Sequence, residues 1–326
     1  MINKLYLYET SSLDPYRNLA VEELLLHVVP DEGCILYLWQ NQNTVVIGQN
    51  QNAWKECRTT LLEQEGGHLA RRLSGGGAVF HDLGNLNFTF LVPSEAYDLD
   101  RQLRVIETAC RSLGIRAERS GRNDVLAEGR KFSGNAFYHS QGRSYHHGTL
   151  LIDADMQKMG RYLNPSKAKL ASKGVDSVRS RVVNLRELCP GLSVGTMKQA
   201  MRMAFEAVYG GKVQLIREDS LDEQFIAKTT ARNASWDWLY GKRFPFSFSC
   251  EERFDWGSIQ MDLQVENGVV VKAACYSDSM LVEPFAKLSD TLAGAKFTLS
   301  ELSARVQTAV PELSRDICGM LERQQI

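Results

Sequence analysis

The chain has 326 residues, of which 44% are hydrophobic and 24% charged, a composition typical of a folded globular protein and not of a disordered one. Its net charge of -1 gives no overall field that would favour nucleic acid or a membrane surface, so we expect neither as a partner. The seven cysteines are widely spaced without a Cys-x-x-Cys pair, the start lacks a secretory signal, and no apolar run approaches the roughly 20 residues of a membrane span, which together predict a cytoplasmic protein.

The first part of the chain predicts strands and helices that lead into a glycine-rich loop. Alternating apolar residues predict strands, and apolar residues three and four apart after a capping residue predict helices. In chain order these are a strand over 4–8, a helix begun by Asp14-Pro15, strands over 34–39 and 44–47, a helix from Asn52 to Glu65 and a strand over 68–71.

The glycine-rich loop reads Arg71-Arg72-Leu73-Ser74-Gly75-Gly76-Gly77-Ala78-Val79-Phe80-His81-Asp82. Glycine lets the main chain approach a ligand without an intervening side chain, and the preceding arginines favour an anion, so we interpret the loop as an anion cradle. A flexible hairpin tip is the alternative. The loop matches neither the Gly-Lys-Ser/Thr phosphate loop nor the dinucleotide fingerprint, so those two classes are disfavoured.

The next segment, 85–92, predicts a strand that alternates polar with apolar residues. Asn85, Asn87 and Thr89 then share one face. This face is either solvated or, beside a glycine cradle, the floor of a pocket, and we favour the pocket floor.

A helix over 99–113 and a hairpin follow. Asn123-Asp124 enters one arm of the hairpin, Glu128-Gly129 forms its turn, and Lys131 stands on the other arm. A carboxylate beside a carboxamide is a reasonable magnesium site, and Lys131 offers a point charge. From this segment alone, however, we favour Lys131 as an exposed strand lysine paired with an acid.

Two further features carry histidine and basic residues. His146 and His147 are adjacent on a predicted strand, so they point to opposite faces and cannot bind one metal together. The stretch from Lys158 to Arg186 is strongly basic, with Lys173 to Arg181 at its centre. It is either a solvated surface or a lid that becomes ordered over a bound phosphate.

The last third predicts a separate unit. An aromatic-rich junction occupies 236–246, an Asn267-Gly268 turn joins strands over 257–265 and 269–276, and helices follow over 300–309 and 311–322.

Together these motifs resemble one family, the lipoate-protein ligases of the A type. The resemblance rests on five ordered motifs between residues 71 and 185. Asp14-Pro15 with Asn18-Leu19-Ala20-Val21-Glu22-Glu23 and Val45-Val46-Ile47-Gly48 also fit, so the match covers some 170 residues, with weaker agreement to the C-terminus. The five motifs are Arg71-Arg72-x-Ser74-Gly75-Gly76-Gly77-Ala78-Val79-Phe80-His81-Asp82-x-Gly84-Asn85, Gly121-Arg122-Asn123-Asp124, Arg130-Lys131-x-Ser133-Gly134, His146-His147-Gly148-Thr149-Leu150-Leu151, and Lys173-Gly174-Val175-x-Ser177-Val178-Arg179-Ser180-Arg181-Val182-x-Asn184-Leu185.

The resemblance implies an α+β fold: a large catalytic domain over 1–243, with mostly antiparallel sheets and flanking helices of the biotin/lipoate ligase type, and a small mixed C-terminal domain over 247–326. It also implies ATP and Mg2+ as cofactors and lipoic acid as substrate. Lipoate would be activated to lipoyl-AMP, and the lipoyl group transferred to a lysine of the lipoyl domains of 2-oxoacid dehydrogenase E2 subunits or of glycine cleavage H protein.

The residue roles follow from the same resemblance. Lys131 is the expected catalytic residue, and Asp124 with Asn123 the expected magnesium ligands. The nucleotide is expected to contact Arg71, Arg72, Gly75, Gly76, Gly77, Ala78, Val79, Phe80, Asn85, Lys131, Lys173 and Arg179. The lipoyl group is expected to contact Lys131, His147, Gly148 and Ser74.

Two alternatives stay open. The chain could be a lipoyl or octanoyl transferase that uses a preformed acyl donor, although the carrier-dependent versions need a nucleophilic cysteine and only Cys110 lies between the glycine loop and the histidine strand. It could also be a non-catalytic lipoate-binding protein built on a decayed ligase.

Overall fold

The computed structural model describes residues 2–121, 124–164, 182–240 and 247–324. These form two compact units. The sheet unit comprises Met1–Val46, Lys55–Ala70 and Val79–Ser235, and the small unit comprises Ile47–Trp54, Arg71–Ala78 and Trp236–Ile326. The predicted division into 1–243 and 247–326 stays a prediction, because its boundary falls at 241–246, outside the described residues.

An eight-stranded mixed sheet forms the centre of the sheet unit, with strand order β11-β1-β2-β6-β10-β9-β8-β7. The strands up to β11 are β1 Lys4–Glu9, β2 Gly33–Trp39, β3 Thr44–Ile47, β4 His68–Arg71, β5 Val79–His81, β6 Asn85–Pro93, β7 Ala117–Ser120, β8 Asp124–Ala127, β9 Arg130–Ser140, β10 Arg143–Leu151 and β11 Val213–Leu215. β1 runs parallel to β2 and β11, and the other neighbours in this sheet are antiparallel. A second sheet has the order β4-β3-β5. The predicted α+β class with mostly antiparallel pairing is confirmed.

Helices cover both faces of the large sheet. The helices before the small unit's C-terminal part are α1 Pro15–Val28, α2 Ala53–Glu56, α3 Thr59–Gln64, α4 Leu99–Ser112, α5 Met156–Tyr162, α6 Leu185–Leu188, α7 Val194–Tyr209 and α8 Glu223–Ala234. Asp14 caps α1 by accepting a hydrogen bond from the Tyr16 backbone N–H, as its position before Pro15 predicts.

The predicted single helix from Asn52 to Glu65 was wrong. The structure has two short helices there, α2 and α3. The break has a tertiary cause, because Arg58 N–H donates to the Tyr162 carbonyl at 2.9 Å and Cys57 pairs with Leu163 in a β-bridge. Contacts with a segment a hundred residues away therefore replace the local helical bonds.

The two faces of the large sheet differ in chemistry. Helices α4 and α7 pack on each other and enclose an apolar core with one face, while α1 contacts β2, β6 and β10 on the other. The core includes Leu86, Phe88, Phe90, Val105, Ile106, Leu150, Met197 and Phe205. Burying each such side chain contributes about 1.5–3 kcal/mol, so this face holds the unit together. The α1 face instead carries buried polar and aromatic side chains, and the candidate site lies there.

The C-terminal part of the small unit has its own core. It contains strands β12 Phe248–Phe254, β13 Gly257–Glu266 and β14 Val269–Ser277 and helices α9 Trp236–Tyr240, α10 Glu283–Leu292, α11 Leu299–Ala309 and α12 Ser314–Arg323. The strands form an antiparallel sheet, and the Asn267-Gly268 turn has φ values of 51° and 73°, as its sequence predicts. Apolar side chains of β13, such as Met261 and Leu263, pack with those of α10 to α12.

None of the helices in the described ranges is long and apolar enough to cross a bilayer.

Candidate active site

Lys131 and Asp124 form an ion pair across the hairpin of β8 and β9. The Lys131 Nζ lies 2.7 Å from Asp124 Oδ1, and both side chains are about one-third exposed, at 36% and 35%. The Glu128-Gly129 turn has positive φ at both positions, 49° and 73°, which suits a tight two-residue turn. The hairpin therefore brings the predicted catalytic lysine and the predicted metal ligand together.

A β-bulge turns Lys131 toward the α1 face. Val125 pairs with Ser133, whereas the next residue, Leu126, pairs with Lys131, so Phe132 is the extra residue. Phe132 is fully buried in the apolar core. Because side chains alternate along a strand and a bulge shifts that alternation by one, Lys131 shares a face with Gly134 while Phe132 points into the core.

Gly134 and Gly148 are required for different reasons, and only Gly134 lies beside the Lys131 side chain. A Cβ on Gly134 would lie 3.1 Å from the Lys131 Nζ, so glycine keeps the path of the lysine side chain open. A Cβ on Gly148 would lie 2.7 Å from both the Gly134 carbonyl oxygen and Phe88 Cζ, so glycine allows close packing of β9 and β10. Contact of Gly148 with a lipoyl group stays a prediction.

His147 belongs to a buried polar network on the α1 face. Its Nδ1 lies 2.8 Å from Glu22 Oε1 on α1, and the same oxygen accepts from the Thr89 hydroxyl at 2.7 Å. Trp39 Nε1–H donates to the Thr89 hydroxyl at 3.1 Å. Sequence analysis missed Glu22 and Trp39 as site residues. A signal for Glu22 existed, because this acid stands among apolar residues of α1, where a charge is buried only when paired.

Replacing Glu22 with Gln is expected to destabilise the fold by about 1–3 kcal/mol, because two hydrogen bonds to a buried charge become hydrogen bonds to a neutral amide. If His147 contacts the acyl substrate, the KM for lipoate should rise while the KM for ATP stays within about twofold. Urea unfolding and steady-state kinetics measure the two effects. Glu23→Gln is the matched control, since Glu23 follows on the same helix and pairs instead with Arg232; an equal rise in lipoate KM in both variants would contradict the assignment.

His146 points to the opposite face, as its position next to His147 predicts. Its Nε2 lies 2.8 Å from Asn135 Oδ1 and its Nδ1 lies 3.1 Å from the Gln102 amide. Complete burial lowers the pKa of His146 to about 3, so the ring is neutral. A neutral ring carries one N–H, so one of these two side chains presents its amide oxygen to the ring and the other its amide nitrogen.

The neutral state of His146 predicts a loss of stability in acid. Below pH 6.5 the unfolded chain protonates this histidine, whereas the folded protein resists protonation until its lowered pKa near 3. Unfolding free energy should therefore fall by about 1.4 kcal/mol per pH unit below pH 6.5 from this group. His146→Gln should flatten the slope measured by urea unfolding between pH 6.5 and pH 5; an unchanged slope would contradict the prediction.

The polar row on β6 is buried and not solvated. Asn85, Asn87 and Thr89 are each at most 1% exposed. Asn85 Nδ2 donates to Asn87 Oδ1 at 2.8 Å. These side chains thus form a buried polar row on one strand face and not a solvated one, while the pocket floor itself and contact of Asn85 with a nucleotide stay predictions.

The part of the glycine loop from Arg71 to Ala78 lies in the small unit, and Arg72 holds it by hydrogen bonds. Arg72 is 6% exposed, and its guanidinium donates to the Ser74 hydroxyl at 3.0 Å and to the carbonyls of Gly75 and Gly77 at 2.7 and 2.8 Å. Gly76 has φ of 86°, which only glycine adopts without strain.

Close approach of other backbone explains the neighbouring glycine. A Cβ on Gly75 would lie 2.3 Å from the Ser279 carbonyl oxygen. The same carbonyl accepts from Gly76 N–H at 3.0 Å. The loop is therefore held by specific backbone contacts, which suit the interpretation as a cradle better than the alternative of a flexible tip. Ala78 and Val79 are half-buried, and Phe80 is buried on β5.

Three predicted site residues, Asn123, Lys173 and Arg179, lie outside the described residues. The chain that follows the basic stretch is anchored at Lys131: Val183 N–H donates to the Lys131 carbonyl at 2.9 Å, and Val182 forms a parallel bridge with Lys131. In the described ranges, no three His, Cys, Asp or Glu side chains come together as a metal cluster.

Comparison with known families identifies two matching domains. Residues 14–206 match the lipoyl protein ligase A/B catalytic domain, and residues 243–317 match the bacterial lipoate protein ligase C-terminus. The fold and the matched domains define an enzyme that attaches an acyl group to protein. The chain belongs to the lipoate-protein ligase family.

Solved structures share this fold. LipL1 of P. falciparum, in complex with lipoate, is 25% identical, with a TM-score of 0.84 over 97% of this chain and 99% of that one. The bipartite lipoate protein ligase of Thermoplasma acidophilum, studied with its E2 lipoyl domain, is 25% identical, with a TM-score of 0.64 over 76% of this chain and 100% of that one. A lipoate-protein ligase A bound with ATP is 24% identical, with a TM-score of 0.63 over 73% of this chain and 98% of that one, and at that identity it supports the fold alone.

Proposed function

We propose that this enzyme is an ATP-dependent lipoate-protein ligase that proceeds through lipoyl-AMP. The observation that carries the proposal is the lysine on the α1 face: a bulge aims Lys131 across Gly134, and Asp124 holds its ammonium group at 2.7 Å. A fixed ammonium on an open strand face suits a reaction between two anions, a carboxylate and a phosphate.

The first step joins lipoate to AMP. A carboxylate oxygen of lipoate attacks the α-phosphorus of ATP, a new P–O bond forms, and the bond to the bridging oxygen breaks to release pyrophosphate. Both reactants are anionic, so Lys131 lowers their repulsion and stabilises charge on the transferring phosphoryl group. Lys131 acts as a charge and does not form a covalent intermediate.

The second step transfers the lipoyl group. The ε-amine of the acceptor lysine attacks the carbonyl carbon of lipoyl-AMP, and the tetrahedral intermediate carries an oxyanion that Lys131 stabilises. The intermediate collapses with loss of AMP, and the amine loses its proton. Lys173 and Arg179, which lie outside the described residues, are the proposed basic contacts of the adenylate, where exclusion of water would prevent its hydrolysis.

The glycine loop binds the nucleotide in this proposal. Its backbone approaches the phosphates and adenosine, and Arg72 adds a guanidinium contact. The remaining nucleotide contacts are assigned to Gly75, Gly76, Gly77, Ala78, Val79, Phe80 and Asn85. For Arg71, the observed contacts support a different role, argued in the next section.

Asp124 fits a magnesium ion, because Mg2+ commonly binds through one or two carboxylates together with substrate phosphates. Asn123 is the proposed second ligand. When bound, the ion offsets negative charge on the phosphates.

The lipoyl group is assigned to the α1 face. His147, with its ring held by Glu22, is the proposed contact on this face, and Ser74 and Gly148 are further proposed contacts of the lipoyl group. The buried aromatic and polar residues on this face, such as Trp39, suit a narrow channel better than the solvated surface of a typical sheet. The lipoate bound to P. falciparum LipL1 supports lipoate as the substrate.

Lipoyl domains of E2 subunits and glycine cleavage H protein are the proposed acceptors, in the cytoplasm. The E2 lipoyl domain named with the T. acidophilum ligase supports the first of these.

Acyl transfer through a cysteine receives no support from the described thiols between the glycine loop and β10. Cys110 is fully buried, and burial raises the pKa of its thiol to about 12, so it is not a thiolate at neutral pH. The paired Lys131 and Asp124 also argue against a non-catalytic lipoate binder, which has little need of a charge aimed at a reacting group.

Purified protein with ATP, magnesium and lipoic acid tests the proposal. We expect pyrophosphate release and, by mass spectrometry, one lipoyl mass on an added apo lipoyl domain. Transfer from synthetic lipoyl-AMP without pyrophosphate release would instead establish a transferase. Lipoate binding with neither activity would establish a binder.

A further inference from the structure

The side chain of Arg71 is enclosed by backbone carbonyls. It is 7% exposed, and burial lowers its pKa to about 10, so it stays charged at neutral pH. Its Nη1 donates to the carbonyls of Gly48, Gln49 and Gln51 at 3.2, 2.9 and 2.7 Å. Its Nε and Nη2 donate to the carbonyls of Trp238 and Leu239 at 2.9 and 2.6 Å. Within the described ranges, all its side-chain acceptors are main-chain oxygens.

The turn that Arg71 holds is packed against the glycine loop. Gln49 N–H donates to the Ser74 carbonyl at 2.9 Å. A Cβ on Gly48 would lie 2.4 Å from the Gly76 carbonyl oxygen, so this glycine backbone touches the loop directly. The position of the loop therefore depends on the turn over 48–51, and the turn depends on the guanidinium.

Helix α9 is the second element that Arg71 holds. The contact is reciprocal, because Trp238 Nε1–H donates to the Arg71 carbonyl at 3.1 Å while Arg71 Nε–H donates to the Trp238 carbonyl. The rings of Trp236 and Tyr240 lie 4.4 Å apart, and Tyr240 lies 4.9 Å from Trp54, next to the turn. One guanidinium thus joins two separate segments of the small unit beside the loop.

We propose that Arg71 is a positioning residue for nucleotide binding, which sets the conformation of the glycine loop through the 48–51 turn and helix α9 and does not itself contact the nucleotide. The inference rests on the proposed function, since it assumes that the loop binds ATP. The neighbouring Arg72 differs, because its guanidinium donates to the loop itself.

The planar guanidinium makes lysine an informative substitution. An arginine fork donates in several fixed directions, whereas a lysine ammonium supplies the same charge from one point. If Arg71 acted by charge on a phosphate, Arg71→Lys would retain most of the function. If Arg71 acts by holding two segments, Arg71→Lys should impair nucleotide binding almost as much as Arg71→Met does.

The experiment compares wild type, Arg71→Lys and Arg71→Met by two measurements. The first is amide hydrogen exchange of the nucleotide-free protein at Gln49 and Gly76, which we expect to be at least tenfold faster in both variants. The second is the KM for ATP, which we expect to rise at least tenfold in both, with kcat at saturating ATP within threefold. Arg305→Met is the matched control, because Arg305 also donates to a backbone carbonyl of the small unit, that of Thr291, and should change neither.

Several outcomes would overturn the proposal. A wild-type KM in Arg71→Lys with a raised KM in Arg71→Met would indicate that charge alone matters, and unchanged exchange with a raised KM would indicate direct contact. Faster exchange with an unchanged KM for ATP would indicate that the conformation of the loop does not affect nucleotide binding. Should both variants fail to fold, Trp238→Phe takes their place. It removes the hydrogen bond from the Trp238 indole to the Arg71 carbonyl, and it must both speed amide exchange at Gln49 and Gly76 and raise the KM for ATP. If the wild type consumes no ATP, the proposed function fails, and exchange alone decides the structural role.

Discussion

Lys131→Ala is expected to abolish lipoate-dependent pyrophosphate release, with a loss of at least about 10³-fold in kcat/KM. The loss is large because the same ammonium group serves both steps of the proposed reaction, and its site otherwise offers a carboxylate, Asp124, which repels both anionic reactants. Removing a single stabilising donor from comparable sites costs about 10²–10³-fold. The measurement is pyrophosphate release under saturating ATP and lipoate.

The fold should tolerate this change. The Lys131 side chain is 36% exposed, and its structural contacts to Val183 are made by the backbone, which alanine keeps. Lys198→Ala is the matched control, since Lys198 is a partly buried lysine of the sheet unit that pairs with Glu9 at 3.5 Å. Near-normal pyrophosphate release by Lys131→Ala, in a protein with wild-type unfolding behaviour, would remove Lys131 from the mechanism.

Asp124→Asn separates two contributions of the hairpin. The substitution keeps a hydrogen-bonding partner for Lys131 but removes the charge proposed to hold magnesium. We therefore expect Asp124→Asn to need more magnesium than the wild type for half-maximal pyrophosphate release. If Asp124 serves only to orient the lysine, the magnesium requirement of the variant should equal that of the wild type.

Local chemistry explains why much of this site could be predicted from sequence. Three adjacent glycines shortly after two arginines predicted a backbone loop, and two adjacent histidines on a strand predicted opposite directions. Both follow from rules that act over a few residues. The structure confirms the directions of His146 and His147, one toward Gln102 and the other toward Glu22.

The rest of the site depends on partners far apart in sequence. Glu22 and His147 are separated by 125 positions and meet only because α1 lies across β10. The orientation of Lys131 depends on a β-bulge that no residue type in the sequence predicts. The break between α2 and α3 depends on the hydrogen bond from Arg58 N–H to the Tyr162 carbonyl. Periodicity and capping carry no information about such contacts, so sequence analysis found the residues of the site more readily than their arrangement.

Arg71 shows the same limit for residue roles. Its place before a glycine loop predicted a phosphate contact, and only the positions of the carbonyls of the 48–51 turn and of α9 reveal another use for the guanidinium. An arginine beside a predicted anion site is therefore ambiguous until its hydrogen bonds are known.

Gly84→Ala is expected to destabilise the sheet unit by about 3 kcal/mol or more, although Gly84 belongs to the motif that follows the glycine loop. A Cβ there would lie 2.0 Å from the Asp153 carbonyl oxygen, and the Gly84 carbonyl accepts from the N–H groups of Ile152 and Asp153, both at 2.9 Å. Backbone faces backbone, so no side chain can move aside. The neighbouring Asp82 stabilises the same contact between Gly84 and the chain around Asp153, because its carboxylate accepts from Gly84 N–H at 2.8 Å and from Asp155 N–H at 2.7 Å.

Thermal unfolding measures the effect, and the melting temperature should fall by roughly 6–12 °C for a unit of this size. Gly191→Ala is the control, because a Cβ on Gly191 meets no atom within 4 Å and the backbone is not at positive φ. Where Gly84→Ala remains folded, its KM for ATP should match the wild type, since the contacts of Gly84 are with the chain that follows β10. A raised KM for ATP without loss of stability would instead make Gly84 a ligand contact, and the motif would then serve chemistry at this position and not the packing of β6 against the end of β10.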